Sequence, residues 1–352
     1  MSDRRALPSA LGLLLLLPFL VGCTARWALR SAEPKLALQW PFAPVVPKVR
    51  YVSALTGVIA SRTAGAALRT VAFGSAQGER GAFVLPVAVA TGKDGRIAVA
   101  DLGTASIHLF VPGSRAYRQL VAAGAARLVS PVGVAFDDES ALYVSDSSGK
   151  LIAFAPDGTL RWVRTAAGDA PLQRPTGIAY CASNRTIYLV DTLASRVHAF
   201  TPGGELRFSF GERGEEAGRF NFPTHAFCSS QGELFVADSL NFRVQVFDEL
   251  GKLRGGFGRH GDGSGDLAMP KGVAVDRDGV VYVVDSMFDN VQLFSQQGEF
   301  LLTVGQRGTG FGEFWLPAGA FINEKDELYV CDTYNRRVQV FRISGGYGHG
   351  VS

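Results

Sequence analysis

Charge, cysteine and long apolar runs are all scarce in this chain, and each shortage excludes something. Only 19% of the 352 residues are charged and the formal net charge is +3, too little one-sided charge to build the field that a polyanion-binding protein needs. Nucleic acid is therefore not expected as a partner. Of the four cysteines, Cys181, Cys228 and Cys331 show no C-x-x-C spacing, so neither a disulfide framework nor a zinc site is signalled and the three read as buried fillers. There are three methionines and few helix-favouring runs against 42 glycines, which points to short strands joined by tight turns and to an all-β fold. Catalytic motifs are missing too. No Gly-x-Ser-x-Gly elbow and no paired-histidine or Cys/His constellation occurs, and the Gly-rich run Gly305 to Gly312 lacks a Gly-Lys-Ser/Thr ending and leads into a strand. No cofactor, no resident metal and no catalytic residue is expected.

The apolar stretch from Leu11 to Val21, preceded by Arg4 and Arg5, is too short to cross about 30 Å of hydrocarbon and has the proportions of a signal-peptide core. It ends in Leu20-Val21-Gly22-Cys23, which resembles the lipobox of bacterial lipoproteins. That resemblance implies a cleaved signal over residues 1–22, acylation of Cys23, and residence in the cell envelope on a lipid anchor; each buried CH₂ contributes about 0.8 kcal/mol to such anchoring. Residues 23–48 contain Pro34, Pro41, Pro44 and Pro47 and suit an extended tether.

From there on the chain repeats. A proline opens each of six units (Pro86, Pro131, Pro175, Pro223, Pro270, Pro317), and an aspartate closes the second strand of each (Asp101, Asp146, Asp191, Asp238, Asp285, Asp332) at intervals of 45 to 47 residues. Between those marks lie strand a, as in Pro270 to Val275, and strand b, as in Val280 to Asp285. Strand c follows, as in Arg243-Val244-Gln245-Val246-Phe247, and strand d, as in Gly204 to Gly211. The b runs are continuously apolar, as strands covered on both faces must be. A four-stranded sheet cannot cover both of its own faces, so six of them are expected to stack radially as a six-bladed β-propeller over residues 49–345, with a tail at 346–352. After Phe341 no fourth strand remains, so an N-terminal segment must complete the last blade. Ala66 to Gly74 is the expected closing strand, with Val49 to Val52 a further strand whose partner the sequence does not reveal.

The motifs Gly-Val-Ala-Val, Val-Tyr-Val-Val-Asp and Asn-x-Arg-Val-Gln-Val-Phe resemble the NHL repeat over residues 66–341. The match is close in blades four to six and looser in the first two, where Asp146 to Lys150 is one residue short. The resemblance implies the propeller fold. It also brings in lactonase- and lyase-like propellers with a metal over the central channel.

The six aspartates read as turn caps, one per b–c turn, with Arg196, Arg243, Arg337, Asn241 and Asn335 belonging to the same turns. Exceptions to the repeat are better candidates for a site. Two residues after the opening proline stand Ala88, Gly133, Gly177, His225, Gly272 and Gly319, so His225 alone should bring an imidazole to the channel. Phe288-Asp289-Asn290 departs from its neighbours' Asn-x-Arg and could anchor a partner, whereas Trp315 reads as packing and His108 and His198 as structural. The function expected is a membrane-anchored binding module for an envelope protein or an extracellular ligand, small molecules included. Its loop face would carry His225, Asn241, Arg243, Phe288, Asn290, Asn335 and Arg337. The alternative is a metal-dependent lactonase- or lyase-like enzyme using the channel, against which stands the single channel histidine where a metal usually takes three or more ligands.

Overall fold

The computed structural model describes residues 26–42, 45–60, 81–121 and 127–344. Five antiparallel four-stranded sheets follow one another along the chain in the expected order a-b-c-d, and strands a to c of the sixth blade lie in a six-stranded sheet completed by N-terminal strands. Strand a runs Pro86–Thr91, Pro131–Phe136, Pro175–Cys181, Pro223–Cys228, Pro270–Val275 and Ala320–Ile322 in blades one to six. The b strands of blades one to five are buried at every position, as in Leu142–Asp146 and Val281–Asp285, whereas d strands such as Leu160–Arg164 bury none. That gradient is the propeller's geometry: inner strands are covered by both neighbouring blades, outer ones by little.

The core therefore lies between blades. One cluster joins Ala135, Tyr143 and Leu151 of blade two to Ile178, Leu189 and Phe200 of blade three, and each fully buried large side chain of this kind is worth about 1.5–3 kcal/mol. The same packing closes the ring, where Tyr329 and Val338 of blade six meet Phe83, Val89 and Val99 of blade one. Across that seam the Gly319 N–H donates to the Val87 carbonyl at 3.0 Å and the Thr333 hydroxyl to the Pro86 carbonyl at 2.9 Å. Near the axis the strands all but touch. A Cβ on Gly177 would lie 2.4 Å from the His225 Cα, and one on Gly272 would lie 2.5 Å from the Ala318 carbonyl oxygen, so only glycine fits there.

Three expectations need correction. An N-terminal strand does complete blade six, but it is Val49–Ala60, paired antiparallel with strand c Arg337–Ile343 in the register Val338↔Leu55 to Ile343↔Val49. The segment 66–74 lies outside the described residues, and the place beside strand c is taken. Part of the 23–48 stretch is strand rather than tether: Trp27–Ala32 and Gln39–Trp40 pair onto the outer edge of Val49–Ala60, and Trp40 is buried against Phe341 at 5.9 Å. Finally, Cys181 and Cys228 form a disulfide, with Cα atoms 5.3 Å apart, between strands a of blades three and four. Only Cys331 is a buried filler, its thiol pushed well up by burial.

Candidate functional site

The six repeat aspartates are all 0% exposed, and each ties two loops together. In blade five, Asp285 accepts from the Met287 and Phe288 amides of its b–c turn at 3.0 and 3.2 Å and from the Ala268 amide of the preceding d–a loop at 2.7 Å. Asp101, Asp146 and Asp191 bind both loops through backbone N–H groups in the same way. In blades four and six the b–c donors are side chains. Asp238 accepts from Asn241 Nδ2 at 2.8 Å and Arg243 Nε at 2.9 Å, and Asp332 from Asn335 Nδ2 at 2.9 Å and Arg337 Nε at 2.6 Å. Burial outweighs these donors and raises both carboxyls above the usual carboxylate range. At Asp101 and Asp191 burial also pushes upward, but the nearby His108 and His198 together with the amides win, and the net shift is downward.

Asn241, Arg243, Asn335 and Arg337 are thus turned inward onto this network, and the neighbouring turn residues face outward. The b–c turns display Leu102, Leu193, Leu240, Met287 and Tyr334, and the d–a loops on the same face display Val84, Val129 and Trp315, all between 37% and 59% exposed. Trp315 is not packing inside the fold; its ring sits 5.6 Å from that of Tyr334, and the Tyr334 N–H donates to the Trp315 carbonyl. Phe288 and Asn290 are half-buried. In the sequence these apolar turn residues had one readable signal, a large side chain two positions after the aspartate in blades three to six.

The channel holds a cavity of about 630 Å³, lined by strands a and by the a–b turns at the opposite end. Its walls are apolar, and rings Phe227 of blade four and Phe321 of blade six approach to 6.0 Å across it. Charges ring the mouth in pairs: Lys93 Nζ lies 2.8 Å from Asp138, to which the Tyr180 hydroxyl donates at 3.0 Å, and Arg277 Nε donates to Asp326 at 2.8 Å. Asp137 and Asp276 hold the a–b turns beneath, each accepting a tyrosine hydroxyl, from Tyr143 and Tyr282. Both were missed in the sequence. Among the described residues no group of three or more His, Cys, Asp or Glu side chains is placed to hold a metal ion.

His225 lies at the deep end of this cavity, where the Val273 amide donates weakly to its Nδ1 at 3.4 Å. Burial lowers its pKa from 6.5 to about 4, so at neutral pH it is an uncharged acceptor and donor. The folded state therefore resists protonation where the unfolded chain accepts it, and stability present above pH 6.5 is lost as pH falls towards 4. The loss is at most about 3–4 kcal/mol, an upper limit because His225 is only part-buried. In denaturant titrations across that window, His225→Gln should remove this component of the slope; parallel curves for the two proteins would contradict it.

Closed ring, four-stranded blades and central channel define the class as a six-bladed propeller. A family model described as 6-bladed beta-propeller matches residues 275–348, and no curated protein matches the chain. Among solved structures, virginiamycin B lyase from Staphylococcus aureus superposes with a TM-score of 0.54 at 12% identity, covering 74% of this chain and 96% of that one. A gluconolactonase from Xanthomonas campestris gives 0.57 at 15% identity over 74% and 87%, and an auxiliary nutrient binding protein from Bacteroides thetaiotaomicron 0.56 at 12% over 74% and 69%. At such identities the likeness speaks for the fold alone.

Proposed function

We propose that this protein is an exported, lipid-anchored propeller that docks an envelope protein on the face formed by its b–c turns and d–a loops. One observation carries the reading: large apolar side chains are displayed around that face on backbone pinned by buried aspartates. Exposed apolar groups on a mobile loop lose ordering entropy when they bind, whereas these are already fixed. The Trp315–Tyr334 pair with Met287 on the adjacent blade has the composition of an interface anchor. The Cys181–Cys228 disulfide favours an oxidising compartment and so supports export, independently of the Leu20 to Cys23 motif.

The partner should carry an apolar depression rather than a charged patch. Met287→Asp with Tyr334→Asp puts charges where desolvation would be needed and should weaken capture of a crosslinked partner from whole cells by at least about tenfold. The same partner recovered undiminished from the double variant would end this reading. A second reading rests on the channel cavity: apolar walls, a neutral imidazole and a charged mouth suit a small organic ligand, on the fold that the lyase and the gluconolactonase also use. Native mass spectrometry separates the two, because a bound small molecule lost on His225→Ala would favour the cavity.

A further inference from the structure

The outermost layer of the ring, built from the strands that precede Val49–Ala60, combines two surface properties. Leu36 is 79% exposed, Phe42 67%, Val45 55% and Val46 74%. Beside them in the chain stand Lys35, Lys48 and Arg50, with Arg26 and Arg30 at the other end of the edge and Glu33 the one acid of residues 26–50. Apolar side chains set among cations are the signature of a segment that lies in the interface of an anionic bilayer.

Position argues for the same occupant. Trp27, the first strand residue, is four residues after Cys23, a distance of at most about 14 Å, so an acyl chain at Cys23 would hold this edge of the ring against the headgroups. Trp27 pairs with Ala60 at one end of the edge strand and Trp40 with Val49 at the other, a separation of about 36 Å along Val49–Ala60. The anchor thus fixes one end of the edge, and the exposed Phe42, Val45 and Val46 lie by the other.

We propose that Leu36, Phe42, Val45 and Val46 form a membrane seat, inserting at the headgroup boundary of an anionic bilayer. The edge strand then lies along the membrane and the propeller stands on its rim, with both the apolar loop face and the channel mouth open to the surroundings. This rests on the lipid-anchor reading, and the test keeps the two apart.

The full acylated protein, purified from membranes, is reconstituted in vesicles containing phosphatidylglycerol and a diazirine-bearing phospholipid, irradiated, and digested with trypsin. Labelling is expected in the peptide from Leu36 to Lys48. It should fall at least fivefold in a Leu36→Ser, Phe42→Ser, Val45→Ser, Val46→Ser variant that still sediments with vesicles and melts like the parent. Label confined to the Cys23 peptide, or undiminished in the variant, overturns the seat. Intact mass reports separately on the acyl chain at Cys23. Should none be there, the anchor reading fails, and salt-sensitive sedimentation of the unmodified chain with the same vesicles decides the seat: binding lost in the variant upholds it, and no binding overturns it.

Discussion

Asp332→Ala should destabilise the protein by about 3–5 kcal/mol, the cost of stranding a buried cation. The lost carboxylate accepts from the Trp315 amide at 2.8 Å, Asn335 Nδ2 at 2.9 Å, Arg337 Nε at 2.6 Å and Gln339 Nε2 at 2.9 Å. Of these donors the guanidinium matters most, since the Arg337 side chain is only 9% exposed and cannot turn to water without dismantling its bonds to the Glu313 and Gly310 carbonyls. Asp146→Ala in blade two provides the contrast. There the donors are backbone amides of the two loops, with no buried arginine among them, and the cost should be about 1–3 kcal/mol, that of unsatisfied N–H groups. Urea unfolding of both variants measures the difference. Combining Asp332→Ala with Arg337→Met should recover part of the loss, because the stranded charge goes with its partner; equal costs at the two sites, or no recovery, would show that the ion pair is not what holds blade six together.

How far the sequence reaches follows from the same geometry. Inner strands are legible because burial on both faces forces unbroken apolar runs, and the aspartates because every blade must join the same two loops. What the sequence does not show is that one carboxylate serves both loops, since the d–a donors are backbone amides that any residue can supply. Outer strands are nearly silent. Leu206–Phe210 and Leu253–Phe257 bury no residue, so a d strand carries little pattern, and Ala66 to Gly74 rests on a loose likeness to strand d and its place before Pro86. In blade five the departure from the repeat falls on Phe288, whereas the more exposed side chain is that of Met287. Display depends on which way a turn residue points, and the repeat pattern carries no signal of that.

Cysteine counting failed for a topological reason that also sets the last expectation. Cys181 and Cys228 are 47 residues apart, one repeat length, and in a closed ring residues one repeat apart on strand a are neighbours. Cross-linking a loop of that length lowers the entropy of the unfolded chain by an amount worth about 4 kcal/mol. Reducing the bond should therefore lower the melting temperature by about 6 °C for a domain of this size. A Cys181→Ala, Cys228→Ala variant should melt at least as low and be indifferent to reductant, which separates the cross-link from other effects of the reducing agent. Cys331 does not confuse the measurement, since it is buried with its thiol pushed well up and stays unreactive until the protein unfolds. Identical melting of the parent with and without reductant would remove the cross-link as a source of stability. Because net stabilities are about 5–15 kcal/mol, a loss near 4 is a large fraction of what holds the ring closed. A chain kept reduced would then be markedly easier to unfold than an oxidised one, so the disulfide ties the stability of this propeller to the redox state of the compartment in which it folds.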